Sequence, residues 1–422
     1  MSSSASDVFI SDLKDPVYPD FIQQVLDDAA KQPRILLSPE SAMDSAREQT
    51  GLNDFGDMEF VGRLSLIMQQ MDADAGLSPM GRSLSFGFLV RNLVQRLRFV
   101  DLMNKNPSID DIPFERPIVI AGLPRSGTTH MLNLISVDKR LRSLPYWESL
   151  EPFPDPAEDL QLGGEDPRIQ RCRDQLAMQD QIMPYFKNMH DMYPEHVHEE
   201  IELQFLDFST MLLENYALMP KWRDYYLAHD QTPHYQYMKR ALKALQWQRG
   251  PDRWILKSPQ HMEQLKPLKS TFPDATFVIP HRDPVSVATS LITMVTYSAR
   301  MSRSPVDAHA IGDYWVDRVE RMLQACVRDI DSLPAEQVIH VNFDQFMSQD
   351  IQTIERIYAL AGLPMTSEVK DAMQAYITAN PRGKYGRVRY DLKKDFGLNK
   401  EALYERFKFY TCLLYTSPSP RD

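Results

Sequence analysis

The stretch Pro117-Ile118-Val119-Ile120-Ala121-Gly122-Leu123-Pro124-Arg125-Ser126-Gly127-Thr128-Thr129-His130 decides how the rest of the chain is read. Its first residues are a short β-branched apolar run, the pattern of a buried strand. Gly122 to Gly127 make a tight turn, and Thr-Thr-His-Met-Leu-Asn-Leu-Ile opens a helix. A strand–turn–helix unit of this kind is an anion site, because the free N–H groups of the helix's first turn and the positive end of its dipole converge at the turn. The interval from Gly122 to Gly127 fits the frame of a nucleotide phosphate loop, but Thr128 stands where that loop carries its lysine. The nearby cation is Arg125. The substitution points away from a kinase that works on a Mg-nucleotide; an ordinary strand-to-helix turn is the plain alternative.

Outward from this stretch, the chain of 422 residues is 43% hydrophobic and 25% charged, the composition of a soluble globular protein. A net charge of −11 disfavours nucleic acid or another polyanion as partner and leaves room only for a local basic groove. No stretch approaches the roughly 20 apolar residues of a membrane span. The first residues, Met-Ser-Ser-Ser-Ala-Ser-Asp-Val, have neither the basic start nor the apolar core of a signal peptide. Of the three cysteines, Cys172 and Cys326 are far apart and lack metal-ligand spacing. A cytoplasmic protein without transmembrane segment or metal is the expectation. Cys412-Leu-Leu-Tyr-Thr-Ser-Pro-Ser-Pro-Arg-Asp422 is set apart from the fold: it looks like the translation of a sequencing-library adapter, so that the natural sequence departs after about Thr411, or else a short Pro/Ser-rich tail.

Residues 1–112 are expected to be helices packed on the main domain. From Gly81 to Met103 the residues Leu84, Phe88, Leu89, Leu93, Leu97, Val100 and Met103 recur at helical spacing, and Arg91, Arg96 and Arg98 between them form a solvated face in this reading. Residues 113–411 alternate strands and helices, which implies a central parallel sheet flanked by helices, an α/β fold. The strands are the run at Ile118, a short one ending near Tyr146, Arg253–Ser258, Ala275–Arg282 and Gln337–Asp344, with a helix running on from Pro259. Residues 155–250 form a helical cap rich in Met, Tyr, Trp and His, expected to line an apolar acceptor site, with a helix opening at His190-Asp-Met-Tyr-Pro-Glu-His-Val-His-Glu-Glu200. His196, His198, Glu199 and Glu200 do not follow His-Glu-x-x-His, so an acidic helix start is preferred to a metal site, and His198 is placed near the acceptor pocket. Glu148, following the second strand, reads equally as a catalytic group at the ligand-binding edge of the sheet and as a surface glutamate in a Pro-rich loop.

Four separated motifs then agree. Gly-Leu-Pro-Arg-Ser-Gly-Thr-Thr, Leu-Lys-Ser-Pro-Gln-His, Phe-Pro-Asp-Ala-Thr-Phe-Val-Ile-Pro-His-Arg-Asp-Pro and Val-Asn-Phe-Asp-Gln-Phe resemble, in order, the bacterial sulfotransferases that use 3′-phosphoadenosine 5′-phosphosulfate (PAPS). The resemblance covers about residues 115–395. It implies that Arg125, Ser126, Gly127, Thr128 and Thr129 hold the 5′-phosphosulfate, and that Arg282 and Ser290, eight residues on, bind the 3′-phosphate. Eight residues is a little over two helical turns, enough for a strand-end arginine and a first-helix serine to share one phosphate. Taken singly, Arg282 also reads as the partner of Asp283. Arg382 and Lys384, in the basic loop after Pro381, look like the segment that closes on the 3′-phosphate, although their order departs from the family's.

The same resemblance implies sulfuryl transfer to a hydroxyl of a small-molecule acceptor. Arg125, the loop amides and Lys257 would stabilise the leaving oxygen without a metal, and a base would take the acceptor proton. Glu148 matches the family's glutamate and is preferred; His261, near the family's histidine, and His198 stand behind it. A kinase-like phosphotransferase and a non-catalytic PAPS-binding protein are the alternative readings.

Overall fold

The computed structural model describes residues 6–158, 164–251 and 253–412; of the adapter-like tail, all but Cys412 lies outside the described residues. A two-residue strand, β1 (Asp7–Val8), is followed by four helices: α1 (Asp20–Lys31), α2 (Pro39–Thr50), α3 (Phe60–Ala73) and α4 (Pro79–Lys105). Helix α4 starts where the sequence supplies a cap: the Ser78 hydroxyl accepts from Gly81 N–H at 2.9 Å, and proline occupies the first turn. α4 is buried on most of its circumference, and this overturns one expectation. Arg96 does not belong to a solvated face. It is 1% exposed and donates to the carbonyls of Phe55, Asp57 and Leu206 and to the Asp207 carboxylate. Three carbonyls and a carboxylate replace the water that a buried guanidinium gives up.

Strand β2 (Ile118–Ile120) is wholly buried, and the turn after it leads into α5 (Thr128–Ser136). Next come β3 (Leu141–Arg142), β4 (Leu144–Pro145), α6 (Tyr146–Leu150), α7 (Pro167–Ile182) and β5 (Val197–His198). The sheet resumes with β6 (Arg253–Lys257), β7 (Thr276–His281) and β8 (Val338–Asn342), and β9 (Arg387–Val388) closes the series. The order β3-β6-β2-β7-β8 forms one five-stranded sheet with every neighbouring pair parallel. The fold is α/β, as the alternation of apolar runs and helical segments requires. Helices cover both faces, so the central strands are buried on both sides, with apolar residues running through their middles instead of alternating.

Two local expectations are corrected. Residues 190–200 do not open a helix: Val197–His198 pairs antiparallel with β4, and only a 3₁₀ turn follows, at Leu203–Asp207. Pro194 is compatible with this, since its missing N–H suits an edge or turn. The segment after β6 is a 3₁₀ turn, Pro259–Glu263, before a helix at Leu265–Thr271. No helix among the described residues is long and apolar enough to cross a membrane.

The register aligns the carboxyl ends of the strands. Ile120 of β2 lies opposite Lys257 of β6 and Val278 of β7, and His281 lies opposite Asn342. The turns carrying Arg125, Lys257, Arg282 and Phe343 therefore emerge along one edge.

Candidate functional site

Two glycines make the turn after β2 possible. A Cβ on Gly122 would lie 2.9 Å from Pro280 Cδ and 3.1 Å from Thr128 Cγ2, so only glycine lets the turn pass β7. Gly127 has φ +82° and supplies the left-handed residue that starts α5. No side chain caps α5, which leaves its first N–H groups facing the turn. The Ser126 hydroxyl donates to Leu123 O at 2.6 Å and braces the turn from within.

Arg125 is also left-handed, at φ +68°, a conformation costing a non-glycine residue on the order of 1 kcal/mol. Three contacts hold it there. Its Nε donates to Ser290 Oγ at 3.1 Å, its Nη1 donates to Met189 O at 2.5 Å, and its carbonyl accepts from Arg282 Nη1. Ser290 Oγ is in turn 3.0 Å from the Tyr390 hydroxyl. Arg282 lies on the ring of Phe343, its guanidinium carbon 4.1 Å from the centroid. Burial and then the charge of Arg125 depress the Arg282 pKa from its ordinary value. Among the described residues neither guanidinium is ion-paired. Asp283 caps the helix Pro284–Ala299 by accepting from Val285 and Ser286 N–H, so it is not the partner of Arg282. Two adjacent unpaired arginines beside an uncapped helix start make an anion site.

Lys257 faces the same turn. Its ammonium is ion-paired with Glu199 and lies 3.4 Å from Thr129 Oγ1. Its backbone N–H donates to Glu200 Oε2 at 2.9 Å. His261 is wholly buried with both ring nitrogens engaged, one by Glu200 and the other by Tyr235 OH at 2.9 Å. It thereby orients Glu200 under Lys257 and has no free nitrogen for a ligand. His198 stands one residue before Glu199. Its ring is 4.7 Å from Tyr146, and its Nε2 is 3.6 Å from Glu202.

A cleft of about 270 Å³ opens beside the turn, walled by Arg125, Thr129, His190, His196, Lys384 and Tyr385, among others. Burial first, then His198 and Lys257, push the His196 pKa down to about 3; His190 is depressed by burial and by His196. Both imidazoles are therefore neutral near pH 7. Among the described residues no group of three or more His, Cys, Asp or Glu is arranged to hold a metal ion. Lys384 reaches the cleft, whereas Arg382 turns outward to the Met347 carbonyl.

Glu148 is not brought to this gathering. It lies in α6, 2% exposed, with Arg142 Nη2 at 2.6 Å and Arg249 Nη2 at 3.0 Å from the same oxygen. Arg142 pairs with Trp254, three residues before Lys257 on β6. At about 3.3 Å per residue, Glu148 is anchored some 10 Å down the strand from the lysine. Sequence reasoning read Glu199 as part of an acidic helix start and did not single out Phe343 or Tyr390. The pairing of Glu199 with Lys257 spans 58 residues, and no local pattern marks it.

Comparison with known proteins bears on what such an edge does. A search of curated proteins returned no match. Among solved structures, sulfotransferase STF1 from Mycobacterium tuberculosis is similar with TM-score 0.78 and 24% identity, over 89% of this chain and 99% of that one. Sulfotransferase STF9 from Mycobacterium avium gives TM-score 0.80 and 24% identity, over 90% and 98%. At this identity the likeness establishes the fold. The sulfotransferase family profile matches residues 117–367, from the start of β2 through β8 and beyond, which takes in the turns of Arg125, Lys257 and Arg282 and more than half of the sequence. The chain belongs to the sulfotransferase family.

Proposed function

We propose that the protein transfers the sulfuryl group of PAPS to a hydroxyl of a small-molecule acceptor. The observation that carries this reading is the convergence of Arg125, Arg282, Ser290 and Lys257 on the uncapped start of α5. Arg282 and Ser290, with Lys384 closing from the loop at 381–386, bind the 3′-phosphate. The N–H groups of Gly127, Thr128 and Thr129 receive the 5′-phosphosulfate. In this arrangement Ser126 shapes the turn instead of donating to the ligand.

In the transfer, the acceptor oxygen forms a bond to sulfur as the bond from sulfur to the bridging oxygen breaks. Negative charge grows on the bridging oxygen, which leaves with adenosine 3′,5′-bisphosphate. Lys257 and Arg125 are positioned to stabilise it, the kind of preorganised electrostatics that usually supplies the largest share of catalysis. The acceptor proton needs a base. Glu199 takes that role because its carboxylate is already against the Lys257 ammonium. When Lys257 turns to the bridging oxygen, Glu199 is released for the acceptor hydroxyl. Glu148, engaged by two guanidiniums, holds α6 to the sheet. His261 holds Glu200.

The test is transfer of labelled sulfuryl from PAPS to a panel of alcohols and phenols. Product with Lys257→Ala reduced about 10²-fold or more supports the reading; absence of transfer together with absence of nucleotide binding overturns it.

A further inference from the structure

Tyr390 ends a chain of donors that holds more protons than acceptors. Arg125 Nε donates to Ser290 Oγ at 3.1 Å, and Ser290 Oγ lies 3.0 Å from the Tyr390 hydroxyl. A hydroxyl donates one proton and accepts through two lone pairs. If Tyr390 donates to Ser290, the Ser290 proton has no acceptor; if Ser290 donates to Tyr390, the Tyr390 proton has none. Neither hydroxyl makes another hydrogen bond among the described residues. One O–H is therefore left over in either orientation. It stands beside Arg125 and Arg282, which touch each other through the Arg125 carbonyl and are not ion-paired among the described residues. Hydroxyl and guanidinium donors gathered without an acceptor call for an anion with several oxygens.

Backbone pairing sets where Tyr390 stands. It comes two residues after β9, and its neighbour Arg389 donates its N–H to Val8 O at 2.9 Å. Ser290, on the helix Pro284–Ala299, is the recessed member of the pair at 5% exposed, whereas Tyr390 is 38% exposed and Arg282 is half-buried. Tyrosine is thus the more accessible of the two hydroxyl residues.

We infer that the Tyr390 hydroxyl binds the 3′-phosphate of the nucleotide directly, alongside Ser290, and so helps select a 3′,5′-bisphosphate over a 5′-monophosphate. The inference rests on the proposed use of PAPS, which puts the 3′-phosphate at Arg282 and Ser290. Two hydroxyls 3.0 Å apart can both serve one phosphate, because its oxygens accept from several directions. A phenol, with an ordinary pKa of about 10, is the more acidic of the two hydroxyls. A charged phosphate oxygen is also a stronger acceptor than the oxygen of serine. Arrival of the phosphate therefore turns the Tyr390 proton from Ser290 to the ligand, and Ser290 donates its own.

The experiment is calorimetric titration of adenosine 3′,5′-bisphosphate, adenosine 3′-monophosphate and adenosine 5′-monophosphate (AMP) into the wild type, Tyr390→Phe, Ser290→Ala and the double variant. Tyr390→Phe removes one oxygen and keeps the ring. It is expected to weaken the bisphosphate and the 3′-monophosphate about tenfold or more, and to leave AMP within about twofold. In the Ser290→Ala background the same change is expected to weaken the bisphosphate again by about fivefold or more, since the phenol touches the phosphate itself. Unchanged bisphosphate affinity in Tyr390→Phe overturns the inference, as does an equal loss for AMP. A loss that disappears once Ser290 is alanine overturns it too, because Tyr390 then acts only by holding Ser290. A wild type that binds the bisphosphate no better than AMP counts against the sulfotransferase reading and takes the inference with it. A wild-type preference that survives intact in Tyr390→Phe refutes the inference alone.

Discussion

Glu199 and Lys257 form an ion pair at the carboxyl edge of the sheet, with Thr129 of α5 within 3.4 Å of the same ammonium. A carboxylate in this position is poised to exchange one partner for another as the donor arrives. Glu199→Gln is therefore expected to lower kcat by about 10²-fold or more while leaving the affinity for adenosine 3′,5′-bisphosphate within a few-fold. Glu148→Gln is expected to retain kcat within a few-fold and to lose stability, because it leaves the buried Arg142 guanidinium less well paired. The reverse pattern in steady-state kinetics would return the base to Glu148.

The 3′-phosphate should be read by Arg282. Adenosine 3′,5′-bisphosphate is expected to bind more tightly than AMP, and Arg282→Ala to lose most of that preference, by about 1.5–3 kcal/mol. Calorimetric titration of both nucleotides checks it, and equal affinities would refute the assignment.

Turnover should survive chelation. The turn has Thr128 in place of a phosphate-loop lysine, and Arg125 and Lys257 provide the positive charge that a kinase draws from Mg²⁺. The expected outcome is unchanged activity in EDTA; loss of activity restored by Mg²⁺ would favour the kinase-like alternative.

A buried charge cluster fastens the turn at Met211–Asn215 and the turn after β6 to the helix Ala308–Asp329. Arg318 is wholly buried, with Nε 3.0 Å from Glu214 and Nη2 2.7 Å from Glu263, and the Tyr314 hydroxyl donates to Glu214 at 2.7 Å. Arg318→Met would strand two buried carboxylates, and burial already raises the Glu214 pKa. A loss of about 3–5 kcal/mol in unfolding free energy is expected by chemical denaturation.

Acid should destabilise the protein through its buried imidazoles. Burial, then the neighbouring His340, push the His281 pKa down to about 3, and burial, then His198 and Lys257, do the same for His196. A histidine whose folded pKa is depressed takes up its proton more readily when unfolded. Stability is thus complete above the unfolded value near 6.5 and is lost as pH falls toward 3, by at most about 1.4 kcal/mol per pH unit for each such group. Urea denaturation between pH 7 and pH 4 should show this slope, and His281→Asn should reduce it.

The sheet was legible because β2, β6, β7 and β8 are short apolar runs with helices between them, and such runs have few other ways to be buried. The anion turn was legible for a similar reason: Gly122 and Gly127 mark where a side chain would collide with Pro280 or force a strained φ. The proposed base, Glu199, was not legible. Glu148 follows a strand in the sequence, but β3 is only two residues long, and the chain turns into α6 before reaching the edge. Arg96 was misplaced because helical periodicity gives the angle of a side chain but not what packs there; Phe55 and Leu206 come from elsewhere in the chain.

The short strands β1 and β9 have a consequence for the cleft. Arg387 N–H donates to Ser6 O at 2.9 Å and Arg389 N–H to Val8 O at 2.9 Å, while Arg389 pairs with Asp7 at 2.8 Å. The loop carrying Lys384 and Tyr385, directly before β9, is thereby tied to a segment at the opposite end of the described residues. The wall of the cleft contributed by residues 381–386 is therefore held from outside the parallel sheet, and loosening Asp7–Val8 would free it without disturbing β2, its turn or α5.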